Sequence, residues 1–177
     1  MLSARLKEKA MHVRLLALDV DGVLTDGRLY FAEDGQELKT FDTQDGHGIK
    51  MLQHAGIEVA IITGRTTKLV QRRAGNLGIR HLLQGREDKL VALRELTAEL
   101  DIPLDEVAYV GDDWPDLPAI LAAGLGIAVA NAHGELRTRA DHVTALAGGR
   151  GAVREVCDLI LRAQDRYDAA LAPYLAT

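Results

Sequence analysis

The apolar run Leu15-Leu16-Ala17-Leu18 ends abruptly in Asp19-Val20-Asp21-Gly22. A strand with one wet face alternates polar and apolar residues, so a continuous run describes a strand covered on both faces. Strands of that kind belong to parallel sheets, and an open parallel sheet puts its chemistry at the carboxyl ends of its strands. Two carboxylates spaced i, i+2 at such an end carry a large desolvation cost unless something positive compensates them. The motif points to a bound cation and to a nucleophile, and so to an enzyme.

The rest of the chain repeats the same alternation. Apolar runs at 14–19, 58–63, 107–111, 126–130 and 142–143 predict strands, and the patterns at 48–55, 67–77, 86–100, 116–123 and 152–170 predict helices. The expected fold is α/β: a Rossmann-like parallel sheet with helices on both faces, in a single domain over 1–177. One segment breaks the rhythm. Two short β runs at 28–31 and 37–41 flank Asp34-Gly35, which predicts a protruding β-hairpin over about 27–41. The run Gly148-Gly149-Arg150-Gly151 precedes the C-terminal helix and tail, 151–177.

Composition removes several function classes. The net charge is −5 and no long basic run occurs, which disfavours a nucleic-acid surface. An aromatic content of 4% leaves little for base-stacking platforms. The single cysteine, Cys157, excludes an internal disulfide framework and fits packing beside Val153, Val156 and Ile160. No apolar stretch approaches the roughly 20 residues of a membrane span, and 1–13 has no signal-peptide core. A cytoplasmic location is expected. None of the histidines shows paired metal-ligand spacing.

Four signals fall at strand ends or helix starts. They are Asp19-Val20-Asp21, then Ile62-Thr63-Gly64-Arg65, then Lys89 after Gly85-Arg86-Glu87-Asp88, then Gly111-Asp112-Asp113-Trp114-Pro115-Asp116. Hydroxyl, lysine and backbone N–H groups suit phosphate oxygens, and clustered carboxylates suit Mg²⁺. Two carboxylates about 4 Å apart repel by roughly 4 kcal/mol at an effective dielectric near 20. A divalent cation and Lys89 would keep both anionic and leave Asp19 free to attack phosphorus. An EF-hand calcium loop is excluded, because Val23 stands where an oxygen ligand is needed.

These four signals, in this order, resemble the motifs of the haloacid dehalogenase (HAD) superfamily of phosphatases. The resemblance implies Asp19 as nucleophile and metal ligand, and Asp21 as general acid/base with its backbone carbonyl on the metal. It implies Thr63 and Lys89 as phosphoryl-binding catalytic residues, Asp112 as the other metal ligand, and Asp113 and Asp116 as supporting acids. Mg²⁺ is the implied cofactor. The segments between the motifs are too short for a cap domain, so the expected fold is HAD-like with no cap, and a neighbouring subunit must close the site.

Four longer stretches resemble one capless family, the 3-deoxy-D-manno-octulosonate 8-phosphate phosphatases of lipopolysaccharide biosynthesis. They are 19–27, 39–50, 84–89 and 148–155. The charge and apolar pattern above predict no nucleic-acid or membrane partner, and the resemblance implies a homotetramer with active sites at subunit interfaces. It also implies that Asp21, Asp42, Thr43, Gln44, Asp45, Gly46, Lys50, Arg65, Arg73 and Lys89 bind a phosphorylated sugar acid. Arginines suit such a substrate because guanidinium groups clamp oxyanions bidentately. His47 and Arg150 are further candidates for ligand contact. Two other functions remain open: a phosphatase for a nine-carbon 2-keto-3-deoxy sugar acid 9-phosphate, and a non-catalytic phosphosugar-binding protein.

Overall fold

The computed structural model describes residues 3–175. Helix α1 (Ala4–Met11) precedes β1 (Leu15–Leu18), and β2 (Tyr30–Phe31) and β3 (Glu37–Leu38) form the hairpin. There follow α2 (Thr43–His54), β4 (Glu58–Ile62), α3 (Lys68–Leu77), β5 (His81–Leu83), α4 (Lys89–Leu100) and β6 (Val107–Gly111). The chain ends with α5 (Leu117–Ala122), β7 (Leu125–Ala128), α6 (Gly134–Arg139), β8 (His142–Val143), α7 (Ala152–Ala163) and α8 (Tyr167–Leu175).

Six strands pair in parallel in the order β5-β4-β1-β6-β7-β8. The steps from β1 to β4 and from β4 to β5 run one way across the sheet, and the later steps run the other. Right-handed crossovers therefore put α2 and α3 on one face and α4, α5 and α6 on the other. The packing agrees: α2 lies on α3 and α7, and α7 on α1, whereas α4 lies on α5. Covered on both sides, every residue of β1 is fully buried, at roughly 1.5–3 kcal/mol for each large side chain. Chain direction across the sheet reverses between β1 and β6, and that reversal opens a crevice at their carboxyl ends.

The helix α2 seats on α7 through two small or polar residues. Gly48 allows the approach, since a Cβ there would lie 2.9 Å from Cδ of Arg154 and 3.1 Å from Cβ of Cys157. Cys157 is buried in this seam with Val153, Val156 and Ile160, as expected. Asp45 reaches across to accept the Arg154 N–H at 2.8 Å, in the first turn of α7.

Several elements differ from expectation. The last helix is two helices, because Asp165 takes a left-handed conformation (φ 55°) and the Arg166 N–H closes back on the Leu161 carbonyl at 2.8 Å. Gln164, at the break, donates to the carbonyls of Ala10 and Val13, so contacts with α1 favour the interruption. Helix α2 begins earlier than expected, at Thr43, because Asp42 accepts the N–H groups of Gln44 and Asp45. Strand β5 and the short helices α1 and α6 were not anticipated; too few residues carry their periodicity to stand out.

Burial raises the Asp45 carboxyl to about 6, against hydrogen bonds from the start of α7 that lower it. Its cap is expected to matter more than its charge. Asp45→Ala should cost about 1–2 kcal/mol of unfolding free energy. Asp45→Asn, which keeps an acceptor and removes the buried charge, should cost less than half as much. Urea denaturation at neutral pH measures both, and equal losses would remove Asp45 as the cap.

Candidate active site

All four signals converge on the crevice. Asp19 follows β1, Thr63 follows β4, Lys89 opens α4 and Asp112 follows β6. The Lys89 ammonium lies 3.0 Å from Asp19 and 2.6 Å from Asp116, and all three groups are buried. Tyr109, fully buried on β6, donates to the same Asp116 oxygen at 2.9 Å. The other Asp116 oxygen accepts the N–H groups of Asp112 and Asp113 at 3.1 and 3.3 Å. Each Asp116 oxygen thus holds two donors, and the residue serves to place Lys89 and the loop after β6.

Backbone conformation makes room for these acids. Gly22 sits at φ 92°, and a Cβ on it would lie 2.0 Å from an Asp112 carboxylate oxygen. Only glycine adopts that angle without cost and leaves Asp112 its place. A Cβ on Gly148 would meet the Gly22 carbonyl oxygen at 1.7 Å, so the glycine run before α7 lies directly against the aspartate loop.

Oxygen atoms of Asp19, Asp112 and Asp116 lie within 4.8 Å of one another. Since Asp116 is saturated by donors, Asp19 and Asp112 are the carboxylates left to hold a cation. Desolvation, reinforced by the charge of Asp116, raises Asp19 to about 8 although Lys89 opposes it. Desolvation and the same neighbour raise Asp112 to about 7. Burial alone would lower the Lys89 ammonium; the charges of Asp19 and Asp116 outweigh it and raise it. An all-oxygen set, buried at Asp19 and half-buried at Asp112, with excess negative charge fits a hard divalent ion such as Mg²⁺.

Around this cluster the expected ligand residues fall into distinct places. Thr63 is buried, its Oγ1 accepting the Arg65 N–H at 3.4 Å. The Arg65 guanidinium binds Glu37 of the hairpin at 2.8 Å. Asp21 pairs with Lys39, which lies just past β3. Arg73 donates to the Asp42 carbonyl at 2.9 Å and lies 5.6 Å from the Phe41 ring centre. Gly46 belongs to that group, since a Cβ there would meet the Arg73 guanidinium at 2.4 Å. Thr43, Gln44 and Lys50 are on α2, and all three are exposed.

Asp45 is buried: one carboxylate oxygen accepts the Arg154 N–H of α7, and the other is buried without a hydrogen-bond partner, so the residue joins α2 to α7 besides any contact with a ligand. His47 packs edge-on against Tyr174 of α8, ring centres 5.6 Å apart. Arg150 is exposed on the loop before α7. Asp113 caps the short turn that follows it and Asp116 completes the reciprocal cap, so both have local roles besides any chemistry. Glu37 and Lys39 were not singled out as site residues. Their sequence signals were the charged spacing Glu37-x-Lys39 beside the hairpin turn and, for Lys39, its place at the start of the 39–50 stretch.

The raised carboxyls give a pH signature. With folded values of about 8 and about 7 against an ordinary 3.8, the metal-free fold holds protons that the unfolded chain releases. That stability is complete below the ordinary value and is lost as pH climbs through 7 and then 8. The Tm of metal-free protein should fall from about pH 5 to about pH 8.5, as those protons leave. Added Mg²⁺ should raise Tm more at the higher pH, where protons no longer compete for the same oxygens. Equal Mg²⁺ shifts at both pH values would place the cation elsewhere.

Residues 81–155 match the haloacid dehalogenase-like hydrolase family. Over 168 residues the chain is 55% identical to the 3-deoxy-D-manno-octulosonate 8-phosphate phosphatase KdsC of Escherichia coli, covering 95% of this chain and 89% of that protein. It is 53% identical over 163 residues to the Yersinia pestis KdsC, covering 92% of this chain and 87% of that one. A solved structure of a probable yrbi family phosphatase from Pseudomonas syringae superposes with a TM-score of 0.97 at 56% identity, over 99% of both chains. The Moraxella catarrhalis 3-deoxy-D-manno-octulosonate 8-phosphate phosphatase, solved with magnesium, phosphate and KDO, superposes at 0.96 with 48% identity, covering 98% of this chain and 99% of that one. With its crevice acids in place and this similarity along nearly its whole length, the chain belongs to the 3-deoxy-D-manno-octulosonate 8-phosphate phosphatase family of haloacid dehalogenase-like hydrolases.

Proposed function

We propose that this chain is a Mg²⁺-dependent phosphatase that hydrolyses 3-deoxy-D-manno-octulosonate 8-phosphate to the free sugar acid and phosphate, in lipopolysaccharide biosynthesis. The observation that carries this is the buried Asp19–Lys89–Asp116 triad with Asp112 beside it, in a chain 55% identical to a phosphatase of that name.

Asp19, Asp112 and the Asp21 backbone carbonyl would hold Mg²⁺, which when bound neutralises charge on the phosphoryl group. Lys89 and the Thr63 hydroxyl bind the phosphoryl oxygens. An Asp19 oxygen attacks phosphorus in line with the ester oxygen, giving an aspartyl-phosphate. The leaving alkoxide takes a proton from Asp21, and Asp21 then accepts a proton from the water that hydrolyses the intermediate. One carboxyl group serves both steps because it alternates protonation. Burial of the Asp19–Lys89 pair keeps that attack geometry fixed and strengthens the field on the transferring group.

The arginines Arg65 and Arg73, with Asp42, Thr43, Gln44, Asp45, Gly46 and Lys50, would line the approach for the sugar-acid portion. Closure comes from a neighbouring copy. Leu29, Phe31 and Leu38 are each more than half exposed on and beside the hairpin, an apolar surface that suits packing of hairpins in a homotetramer. No helix of the described residues is long and apolar enough to cross a membrane.

Phosphate release with Mg²⁺ is to be compared for the eight-carbon 8-phosphate, a nine-carbon 9-phosphate and an aryl phosphate. A kcat/KM preference of about 100-fold for the first, roughly 2.7 kcal/mol of discrimination, is expected. Equal or better use of the nine-carbon ester would replace the substrate, and release from none would leave a binding protein. Asp19→Asn should abolish turnover while the fold survives. Substantial residual activity in that variant would remove Asp19 as nucleophile.

A further inference from the structure

Lys39 lies outside the four signals, yet its ammonium ends on the Asp21 carboxylate. Its side chain is 2% exposed, against 25% for Asp21. The same ammonium lies 3.4 Å from Glu37, and Glu37 binds Arg65 at 2.8 Å. Charges alternate along Asp21, Lys39, Glu37 and Arg65, so this row ties the hairpin to the loops after β1 and β4. A solvated lysine pair would be screened and weak. This ammonium is enclosed, and removing it leaves its carboxylate partners without their counter-charge.

Asp21 needs such a restraint. It lies on an irregular turn (φ −75°, ψ 112°), not in a helix or strand. Among the described residues, Lys39 is the one donor bonded to its carboxylate, and it engages a single oxygen, Oδ1. The second oxygen is left for proton transfer. A displacement of about 1 Å in a reacting group can cost on the order of 100-fold in rate, so a carboxyl that must act twice has to stay in one place.

We propose that Lys39 is a positioning residue for Asp21, and that the hairpin thereby sets the acid/base as well as the shape of the site. The proposal rests on the phosphatase reading above. In the first step an Asp19 oxygen bonds to phosphorus, the ester P–O bond breaks, and the Asp21 proton moves to the departing oxygen. In the second, a water oxygen bonds to phosphorus, the Asp19–P bond breaks, and a water proton moves to Asp21. Lys39 exchanges no proton in either step; it holds the carboxyl that does.

The test compares kcat/KM of wild type, Lys39→Met and Lys39→Arg on three esters with Mg²⁺. The esters are the octulosonate 8-phosphate, glycerol 1-phosphate and 4-nitrophenyl phosphate. This constant reports the steps through departure of the leaving group. Ratios between esters, taken on one preparation, do not depend on the fraction folded. Alkoxide departure needs a proton and nitrophenolate departure does not. Lys39→Met should therefore lose roughly 10–100-fold on both alkyl esters and less than about threefold on the aryl ester. Lys39→Arg should restore most of that loss. Equal losses on all three would make Lys39 merely structural, and a loss on the sugar-acid ester alone would make it a substrate contact. No loss on any would show that Asp21 needs no restraint; each of these three results overturns the proposal. If wild type cleaves the two simple esters but not the octulosonate ester, the substrate assignment fails while the alkyl-to-aryl ratio still tests Lys39.

Discussion

One ammonium holds the site together. Lys89 lies between Asp19 and Asp116 with almost no water to screen the three charges. Removing one partner from a buried pair typically costs about 3–5 kcal/mol, because the remaining charge cannot be solvated. Even with Lys89 present the balance stays negative, since Asp112 adds a further carboxylate. Desolvation, reinforced by the charge of Asp116, raises Asp19 to about 8 and Asp112 to about 7. That excess of negative charge is what a divalent ion would neutralise there.

The scaffold serves this concentration of charge. Three glycines allow backbone and carboxylates to approach: Gly22 leaves space for Asp112, Gly111 for Asp116, and Gly148 for the Gly22 carbonyl. Rigid supports surround them. The parallel sheet fixes where β1 and β6 end, and buried Tyr109 on β6 orients Asp116. On the opposite face of the sheet from α4, the α2–α7 seam is pinned by the Asp45 cap and the Gly48 contact. The loop that carries Gly148 is thereby joined to α2.

The hairpin joins two levels of organisation. Its outer residues, Leu29 and Phe31, are turned to solvent, where the proposed homotetramer would cover them. Glu37 and nearby Lys39 turn inward, to Arg65 and Asp21. Assembly and proton transfer would then meet in one small element, which places acid/base geometry under the influence of whatever packs on the hairpin. In the proposed assembly, the hairpin would both close a site and orient one of its reacting groups.

Much of this was legible in the residues themselves. Continuous apolar runs marked β1, β4 and β6, because strands buried on both faces have no polar side to interrupt them. Asp19, Thr63, Lys89 and Asp112 were identifiable because chemistry at a strand end needs particular atoms within a few residues of that end. The hairpin turn was readable from Asp34-Gly35, as local turn chemistry is written locally. Tertiary structure alone decided the rest. Asp45 was expected only as a ligand residue, and the fold shows that it also caps α7, more than 100 positions away in the chain. Asp116 proved to hold two donors on each oxygen, and Lys39 proved to reach Asp21. The expected C-terminal helix broke at Asp165 beside its contacts with α1. Sequence determines which groups are available and which backbone angles they tolerate. Which partner each buried charge finds depends on distances across the folded chain, and those exist only once the sheet has brought its strand ends together.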